Sequence, residues 1–576
     1  MMREDVMANN TEWDVVIAGA GPTGLTLANH LGVLGIRTLV LEVLPQLIDY
    51  PRGVGMDDET LRSFQAVGLA DRVRQHTVPN QIMSFVDRRG QTLIAINPPG
   101  QPYGWPRRNG FIQPLIDRVL REGLDRFGHV DVQMRQRVDG FTDSGDHVTV
   151  SAQPVDENGN ADGAPRAIRA RYLVGCDGGR SPVRGLLGLP FDGKSESTRW
   201  LVIDLADDPI GTPNVALNLK DDFPYVEIAL PHGIRRFEFM VPDGADEAGY
   251  AEPARIRELL ARVLPAHVQP NIIRHRVYMH HARIAPDFRK GRVFLAGDAA
   301  HLMPVWQGQG FNTGIRDATN LAWKLALTIR QPVSSHLLDT YTQERHAHAG
   351  AMIDLSVLVG KIFAPSSSFL RTARNLLAPL LFKSAAVRRY IGEMRFKPMP
   401  FFRTGAVVHA GTPNPKGLIG KMLMQPWLTD ASGKAQRLDD VIGLRFGLIS
   451  WSVGVDPWIT PRTRRILDML EALPLVVRPP CQDLDRAVPE GGRVMADRDG
   501  DFKRWFDTAP GAIIVLRPDR IVAAVCAPWA LEPTLVALAS AMGLRVTEPA
   551  AASAASAPAA PVEKAALAAT PLKETA

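Results

Sequence analysis

The sequence predicts an α/β protein: a Rossmann-like dinucleotide-binding layer interrupted by an inserted antiparallel sheet and followed by a further α/β domain. Three observations carry this. The stretch "WDVVIAGAGPTGLTLANHLGVLG" reads as a buried strand, a glycine turn and a helix, and "RTLVLE" supplies a second strand, so residues 13–42 form one βαβ unit. From 198 to 241 the pattern changes to short alternating segments, "TRWLVIDL", "NVALNL", "YVEIAL" and "RRFEFMV", as in an antiparallel sheet with one wet face. At 291–298 "GRVFLAGD" returns to the buried-strand style, and a long helical tract follows to about 395.

These switches give the expected domain bounds. The dinucleotide-binding part takes 12–80, 108–190 and 281–395, and the inserted sheet domain takes 81–107 and 191–280. After the turn-rich "FFRTGAVVHAGTPNPKG", residues 434–548 alternate strands and helices, with a hairpin in "GAIIVLRPDRIVAAV" turning at Arg517-Pro518-Asp519-Arg520, and 400–548 is the expected third domain. Residues 549–576 are rich in Ala and Pro with almost no large apolar groups, and are expected to be a disordered tail.

With 576 residues the chain is too long for one core, and 45% hydrophobic with 22% charged residues is an ordinary globular composition. A net charge of +5 without a clustered basic run argues against a nucleic-acid partner. Three cysteines, Cys176, Cys481 and Cys526, fall in no CxxC spacing, which excludes a dithiol redox motif and fits a reducing cytoplasm. His and Cys are too dispersed for a metal site. The polar N-terminus reads as no signal peptide, and no apolar run reaches the roughly 20 residues that span a bilayer. "FLRTARNLLAPLLFKSAAVRRYI" (369–391) is basic and amphipathic; interrupted by Pro379, it is expected to be a packed helix with a solvated basic face rather than a membrane-surface helix.

Three loops at strand ends carry the chemistry. In Gly19-Ala20-Gly21-Pro22-Thr23-Gly24, Gly19 permits the tight turn, Gly21 lets the backbone approach a pyrophosphate and Gly24 allows close helix–strand packing. Glu42 ends the next strand, where a carboxylate can take the hydroxyls of an adenosine ribose. The second loop, "YLVGCDGGRSPVRGLLG", ends a strand at Asp177-Gly178 and starts a helix near Ser181-Pro182, with Arg180 and Arg184 close to any anionic ligand. The third ends a strand at Gly297-Asp298 and leads into a helix from about Gly310. An acid held at a strand end beside glycines suits hydrogen bonding to a polyol chain. One extended cofactor such as FAD would engage all three loops.

In order and spacing, "GAGPTG", "CDGGRSPVR" and "GDAAHLMPVWQGQGFN" resemble the motifs of the FAD-dependent aromatic hydroxylases, the single-component flavoprotein monooxygenases of the p-hydroxybenzoate hydroxylase type. The resemblance covers about residues 12–395. "PVWQGQGFNTGIRDATNLAWKLAL", "PRGVGMDDETLR" and "HHARIAPDFRKGRVFLAGDAAH" are most similar to the branch that hydroxylates 3-(3-hydroxyphenyl)propionate and 3-hydroxycinnamate. The segment with "LRPDR" looks like the thioredoxin-like domain of the phenol hydroxylase branch, without redox cysteines.

The resemblance implies FAD as cofactor and NADH, or NADPH, as co-substrate, with O2 and a small phenolic acid as the other reactants and ring hydroxylation ortho to the phenol as the outcome. It implies that Glu42 binds ribose, that Arg52 reaches the phosphate and ribityl region, and that Gln113 contacts the flavin side. Gln113 also reads as an N-terminal helix cap. Asp177 and Gly178 would line the approach of the pyridine nucleotide, and Gly297 and Asp298 would serve the ribitol. Backbone N–H groups of Gly310, Phe311 and Asn312 would face the flavin ring. Pro304, Val305, Trp306 and Gln309 are the candidate substrate pocket, Trp306 reading equally as core. No base for the phenol is named. His280, His281 and Arg283 sit at an apparent strand end, where a structural role is the better reading. Another phenol (resorcinol or a polyketide aromatic) and a flavin-binding interaction protein stay open as alternatives. The C-terminal domain, having no redox task, is assigned to subunit association in a homodimer.

Overall fold

The computed structural model describes residues 12–220, 223–242, 244–365, 367–409 and 417–546. The Ala/Pro-rich segment 549–576 lies outside the described residues, as do 410–416 of the linker.

The first sheet runs in the order Arg289–Lys290, Val293–Leu295, Arg166–Gly175, Trp13–Ala18, Thr38–Glu42, Val130–Met134. Trp13–Ala18 is central and pairs in parallel with Thr38–Glu42 on one side and Arg166–Gly175 on the other. Val293–Leu295 continues the parallel set beside Arg166–Gly175. Buried Val, Ile and Leu dominate these strands, as expected of a sheet covered on both faces. The parallel register brings the ends at Ala18, Glu42, Gly175 and Leu295 to one edge, where open α/β sheets bind their ligands.

Helix Pro22–Val33 begins directly after the glycine turn, with Pro at its first position. It packs on the long helix Gln309–Arg330 through small residues: a Cβ on either Gly297 or Gly314 would overlap the Thr23 side chain. The first and third glycine loops therefore meet at Thr23.

The second sheet has the order His301–Leu302, Asn271–Ile284, Asp192–Ala206, Ile234–Val241, Tyr225–Leu230, Val215–Asn218, Met83–Val86, Thr92–Ile96. All four alternating segments fall on its strands. Its pairings are antiparallel except for Val215–Asn218 with Met83–Val86. Strand Asn271–Ile284 runs past residue 281, and His301–Leu302 of the Gly-Asp loop joins this sheet, so the two layers share backbone at the site.

The third sheet places Leu473–Arg478 between Gly447–Trp451 and Arg493–Asp497, both parallel to it, and closes with the antiparallel hairpin Ile513–Leu516/Val522–Cys526. The hairpin turns where the sequence places it, with Arg517 N–H donating to Ile521 O at 2.9 Å. Helices Pro461–Met469 and Leu531–Ala541 flank the sheet, an arrangement that fits the thioredoxin-like reading. This layer is keyed to the rest by buried ion pairs. Both Glu344 carboxylate oxygens accept from Arg517 at 2.8 Å, and Lys324 Nζ adds a third bond at 2.8 Å. Arg62 grips Asp439 in a fork at 2.7 and 2.8 Å.

One expectation is corrected. Helix Ser368–Leu381 does not bury its apolar residues: Phe369 is 79% exposed, and Leu376, Leu377, Leu380 and Leu381 are all more than half exposed. Pro379 is accommodated inside this helix near its C-terminal end. The amphipathic pattern is real, but no described segment covers the apolar side.

Candidate functional site

One continuous cavity of about 1050 Å³ runs from the glycine turn at Gly19 and Gly21 to the inner face of the second sheet at Val226 and Ile228. Of the sequence-selected residues, Gly19, Gly21, Glu42, Arg52, Gln113, Asp177, Gly178, Asp298, Val305, Trp306, Gly310 and Phe311 line it. Gly24, Gly297, Pro304, Gln309 and Asn312 do not.

The fingerprint glycines divide their work. Gly19 has φ +106°, and a Cβ there would stand 2.5 Å from Cys176 O. A Cβ on Gly24 would overlap the Gly19 carbonyl oxygen, so that residue serves helix–turn packing. A Cβ on Gly21 would meet no protein atom within 4 Å and would stand in open space at the cavity wall. Such a cradle, at the N-terminus of a helix that follows a strand, suits a pyrophosphate. Glu42 is placed by the neighbouring strand end, and its carboxylate accepts from Ala20 N at 2.6 Å and Leu44 N at 2.9 Å. It holds the glycine turn in shape while lining the cavity.

Asp177 spends one oxygen as a helix cap, accepting from Val183 N at 3.0 Å, beside Ser181, which accepts from Arg184 N at 3.0 Å. Its other oxygen is buried without a partner among the described residues, and burial raises the pKa of Asp177. Arg184 is committed to the carbonyls of Ala299 and Gly179, whereas Arg180 lines the cavity. Asp298 is likewise raised by burial, although His301 and Arg52 oppose the shift. An orphaned carboxylate oxygen and a desolvated acid facing one cavity fit a ligand rich in hydroxyl and N–H donors, as FAD is.

The third loop is held from behind by Asp317, which the sequence reading did not single out. Its Oδ2 accepts from Gly297 N at 3.0 Å and lies 2.7 Å from His301 Nε2, while Oδ1 accepts from Arg345 Nε at 2.8 Å. Burial would raise its pKa, but the charges of His301 and Arg345 outweigh burial and hold it at about 2. Gly297, at φ +62°, makes the turn that Asp317 pins.

The long helix starts at Gln309, after Gly308 in the left-handed region at φ +61°. Gly310 and Phe311 lie in its first turn, where backbone N–H groups have no partner within the helix, and both line the cavity. Gln309, Asn312 and Arg316 share the opposite face. Asn312 accepts from Asp57 N and Thr60 Oγ1 and donates to the carbonyls of Gly55 and Gly308, so its side chain is a latch between two loops. Gln309 Oε1 accepts from Arg316 at 3.4 Å.

Gln113 is not a helix cap. Its Oε1 accepts from Gly53 N at 2.8 Å and its Nε2 donates to Asp117 at 3.1 Å. Asp117 also lines the cavity; its second oxygen is buried without a partner among the described residues, and burial pushes its pKa up to about 7. Arg52 sits at the exposed mouth, donating to Tyr50 Oη at 2.8 Å. Burial would raise the Tyr50 pKa, but Arg52 and Arg276 bring it below its usual value.

At the far end, Trp306 is both wall and core. Its ring packs on Phe363 at 4.8 Å and edge-on to Trp200 at 5.0 Å and His280 at 5.3 Å. His280 is buried and stacked on Trp200; His281 lines the cavity, with its pKa lowered by burial and by Arg283; Arg283 is off the lining. Beyond Trp306, Tyr278 Oη donates to Glu238 at 3.0 Å, and Arg236 is locked in a fork with Asp204 at 2.8 and 3.0 Å. Val202, Val215, Leu217, Val226 and Ile228 complete an apolar wall suited to an aromatic ring.

Comparison with known proteins places the chain in a family. Residues 12–356 match the FAD binding domain family, and residues 420–541 match the HcaD C-terminal domain. A 3-(3-hydroxy-phenyl)propionate/3-hydroxycinnamic acid hydroxylase of Mycolicibacterium gilvum (strain PYR-GCK) is 46% identical over 94% of this chain and 95% of its own length. Proteins of the same name from Paraburkholderia xenovorans (strain LB400) and Klebsiella pneumoniae (strain 342) are 43% identical, covering 93% of this chain and 92% of the relative, and 47% identical, covering 92% and 95%. Among solved structures, the flavin-dependent monooxygenase PieE in complex with FAD and substrate aligns with a TM-score of 0.75 at 21% identity, over 92% of this chain and 99% of its own.

Proposed function

The chain belongs to the FAD binding domain family of flavoprotein aromatic monooxygenases, and we propose that it converts 3-(3-hydroxyphenyl)propionate and 3-hydroxycinnamate to their 2,3-dihydroxy products. NADH and O2 are consumed; one oxygen atom enters the ring and the other leaves as water. The observation that carries this reading is the single cavity joining a dinucleotide-type glycine turn to an apolar, aromatic-walled end on a second sheet. A cofactor held at the first can meet a phenol held at the second.

Bound FAD supplies the activation of O2 that no side chain provides. The chain's own work is to bind, orient and exclude water. Glu42 is assigned to the ribose hydroxyls, the turn at Gly21 to the pyrophosphate, Arg52 to the phosphate–ribityl region and Asp298 to the ribitol. The amides of Gly310 and Phe311, free at the helix start, would stabilise negative charge on the bound cofactor. Trp306, with Trp200 and Phe363 behind it, keeps the reacting end apolar and dry. The C-terminal layer buttresses helix Gln309–Arg330 through Lys324, Glu344 and Arg517. Pairing of two copies through the C-terminal domain is part of this proposal, and the mass in solution of the full chain beside that of a chain ending before residue 400 tests it.

The decisive experiment measures NADH oxidation by the FAD-loaded protein against a panel of phenols, with product identification. The 2,3-dihydroxy acid formed in step with NADH oxidation is the expected result. If 3-(3-hydroxyphenyl)propionate neither accelerates NADH oxidation nor yields that product, while another phenol does both, the substrate is the other phenol.

A further inference from the structure

The proposed substrates carry a carboxylate, and none of the residues discussed so far receives it. Several arginines line the cavity, and most are committed. Arg236 is forked to Asp204, and Arg274 lies 3.3 Å from the same carboxylate and donates to Asp49 O. Arg52 and Arg276 both engage Tyr50. Arg180 is exposed beside the Asp177 loop.

Arg108 differs. Its side chain is half-buried, lines the cavity and has no ion-pair or hydrogen-bond partner among the described residues; its Nε is buried and unbonded. Burial alone, with no neighbouring anion to offset it, pulls its pKa down to about 10. A guanidinium stays charged even so, and an unpaired buried charge is strongly destabilising. A fold keeps such a group where a ligand completes it.

The backbone fixes which end of the cavity Arg108 serves. It immediately precedes strand Asn109–Phe111, and its carbonyl accepts from Gln81 N at 3.1 Å. Gln81 in turn donates through Nε2 to Ala229 O on strand Tyr225–Leu230, whose Val226 and Ile228 form the apolar wall. The backbone of Arg108 is therefore tied through Gln81 to the second sheet, on the strand whose Val226 and Ile228 line the cavity.

We propose that Arg108 is the carboxylate anchor of the substrate site, its guanidinium fork taking the propionate or acrylate group while the apolar wall takes the ring. This rests on the phenolic-acid reading above. It also gives specificity: a phenol without an acidic side chain leaves the buried cation unpaired and is rejected.

The test titrates FAD-loaded wild type, Arg108→Met and Arg108→Lys with 3-(3-hydroxyphenyl)propionate and with its uncharged primary amide, reading the flavin absorbance change. Loss of a charged bidentate contact is expected to weaken the acid about 100-fold in Arg108→Met. The amide is expected to move less than about threefold. Arg108→Lys keeps charge without the fork and weakens the acid by about tenfold, leaving the amide unchanged. Should Arg108→Met not load flavin, the Lys variant carries the comparison alone. Equal losses for acid and amide, or no loss for the acid, overturn the assignment while leaving the proposed substrate standing. Wild type that binds neither compound, yet hydroxylates another phenol, overturns the substrate reading and the assignment with it.

Discussion

The indole of Trp306 occupies the space into which a Cβ on Gly360 would project, so helix His336–Phe363 lacks a side chain where the cavity wall leans on it. Gly360→Ala gains about 0.5–1 kcal/mol of helix propensity. It also forces the indole toward the cavity, an overpacking cost of about 1–3 kcal/mol. The expected variant binds FAD normally but has a raised KM for the phenol and releases more hydrogen peroxide per NADH consumed. A peroxide assay beside product quantification reads this; unchanged coupling and KM would mean that the Trp306 position does not shape the pocket.

Gly21 and Gly24 separate ligand space from packing space. Gly21→Ala is expected to fold, with a melting temperature near wild type for the flavin-free protein, and to lose FAD affinity by about 10-fold or more because its Cβ enters the cradle. Gly24→Ala sets a Cβ against the Gly19 carbonyl and is expected to lose soluble, folded protein. Equal thermal stability of the two flavin-free variants would refute the division.

Asp317 ties Gly297 to His301 and Arg345, so Asp317→Asn leaves the buried Arg345 guanidinium short of an anion. Destabilisation of about 3–5 kcal/mol is expected by urea unfolding, with weaker FAD retention because the Gly297-Asp298 turn loosens. The wild-type carboxyl, held at about 2, contributes stability that is complete above its unfolded value near 4 and is lost as pH falls toward 2. Unfolding midpoints measured from pH 6 to pH 2 are expected to fall more steeply for wild type than for the Asn variant.

Asp117 works in the opposite sense. Burial holds its proton to about pH 7, whereas in the unfolded chain the carboxyl ionises near 4. Between those values the unfolded state binds fewer protons, so stability falls as pH rises. Asp117→Asn, which keeps an acceptor for Gln113, is expected to stabilise the flavin-free protein by about 2–4 kcal/mol at pH 8 and to change little at pH 4. Equal effects at both pH values would place the Asp117 proton elsewhere.

Much of this arrangement is legible from local pattern. The strand–turn–helix around Gly19, the acid ending the next strand at Glu42, and the Gly-Asp turn at 297–298 are short-range signals, and the parallel register brings them to one edge. What the pattern missed depends on long-range partners. Asp317 is 20 residues from Gly297 along the chain, and nothing near it announces the contact. Arg108 stands out by the lack of a side-chain partner among the described residues, which no sequence reports. Helical phase explains Gln309 and Asn312: with the helix starting at 309, positions 309, 312 and 316 share one face, and 310 and 311 present the other. The apolar face of Ser368–Leu381 is the converse case, since amphipathic spacing reveals a stripe without revealing what covers it.

The fork between Arg517 and Glu344 also constrains how such a chain can be recombined. A C-terminal segment carrying Arg517 is matched to a helix carrying Glu344 and to Lys324 beside it, so a graft from a relative brings an uncompensated cation or anion into a dry seam unless both sides are exchanged. Chimeras cut at the 410–416 linker should fail unless the donor supplies the same charge pair. The third layer is thus inherited together with the helix that reaches the cavity, and is no detachable cassette.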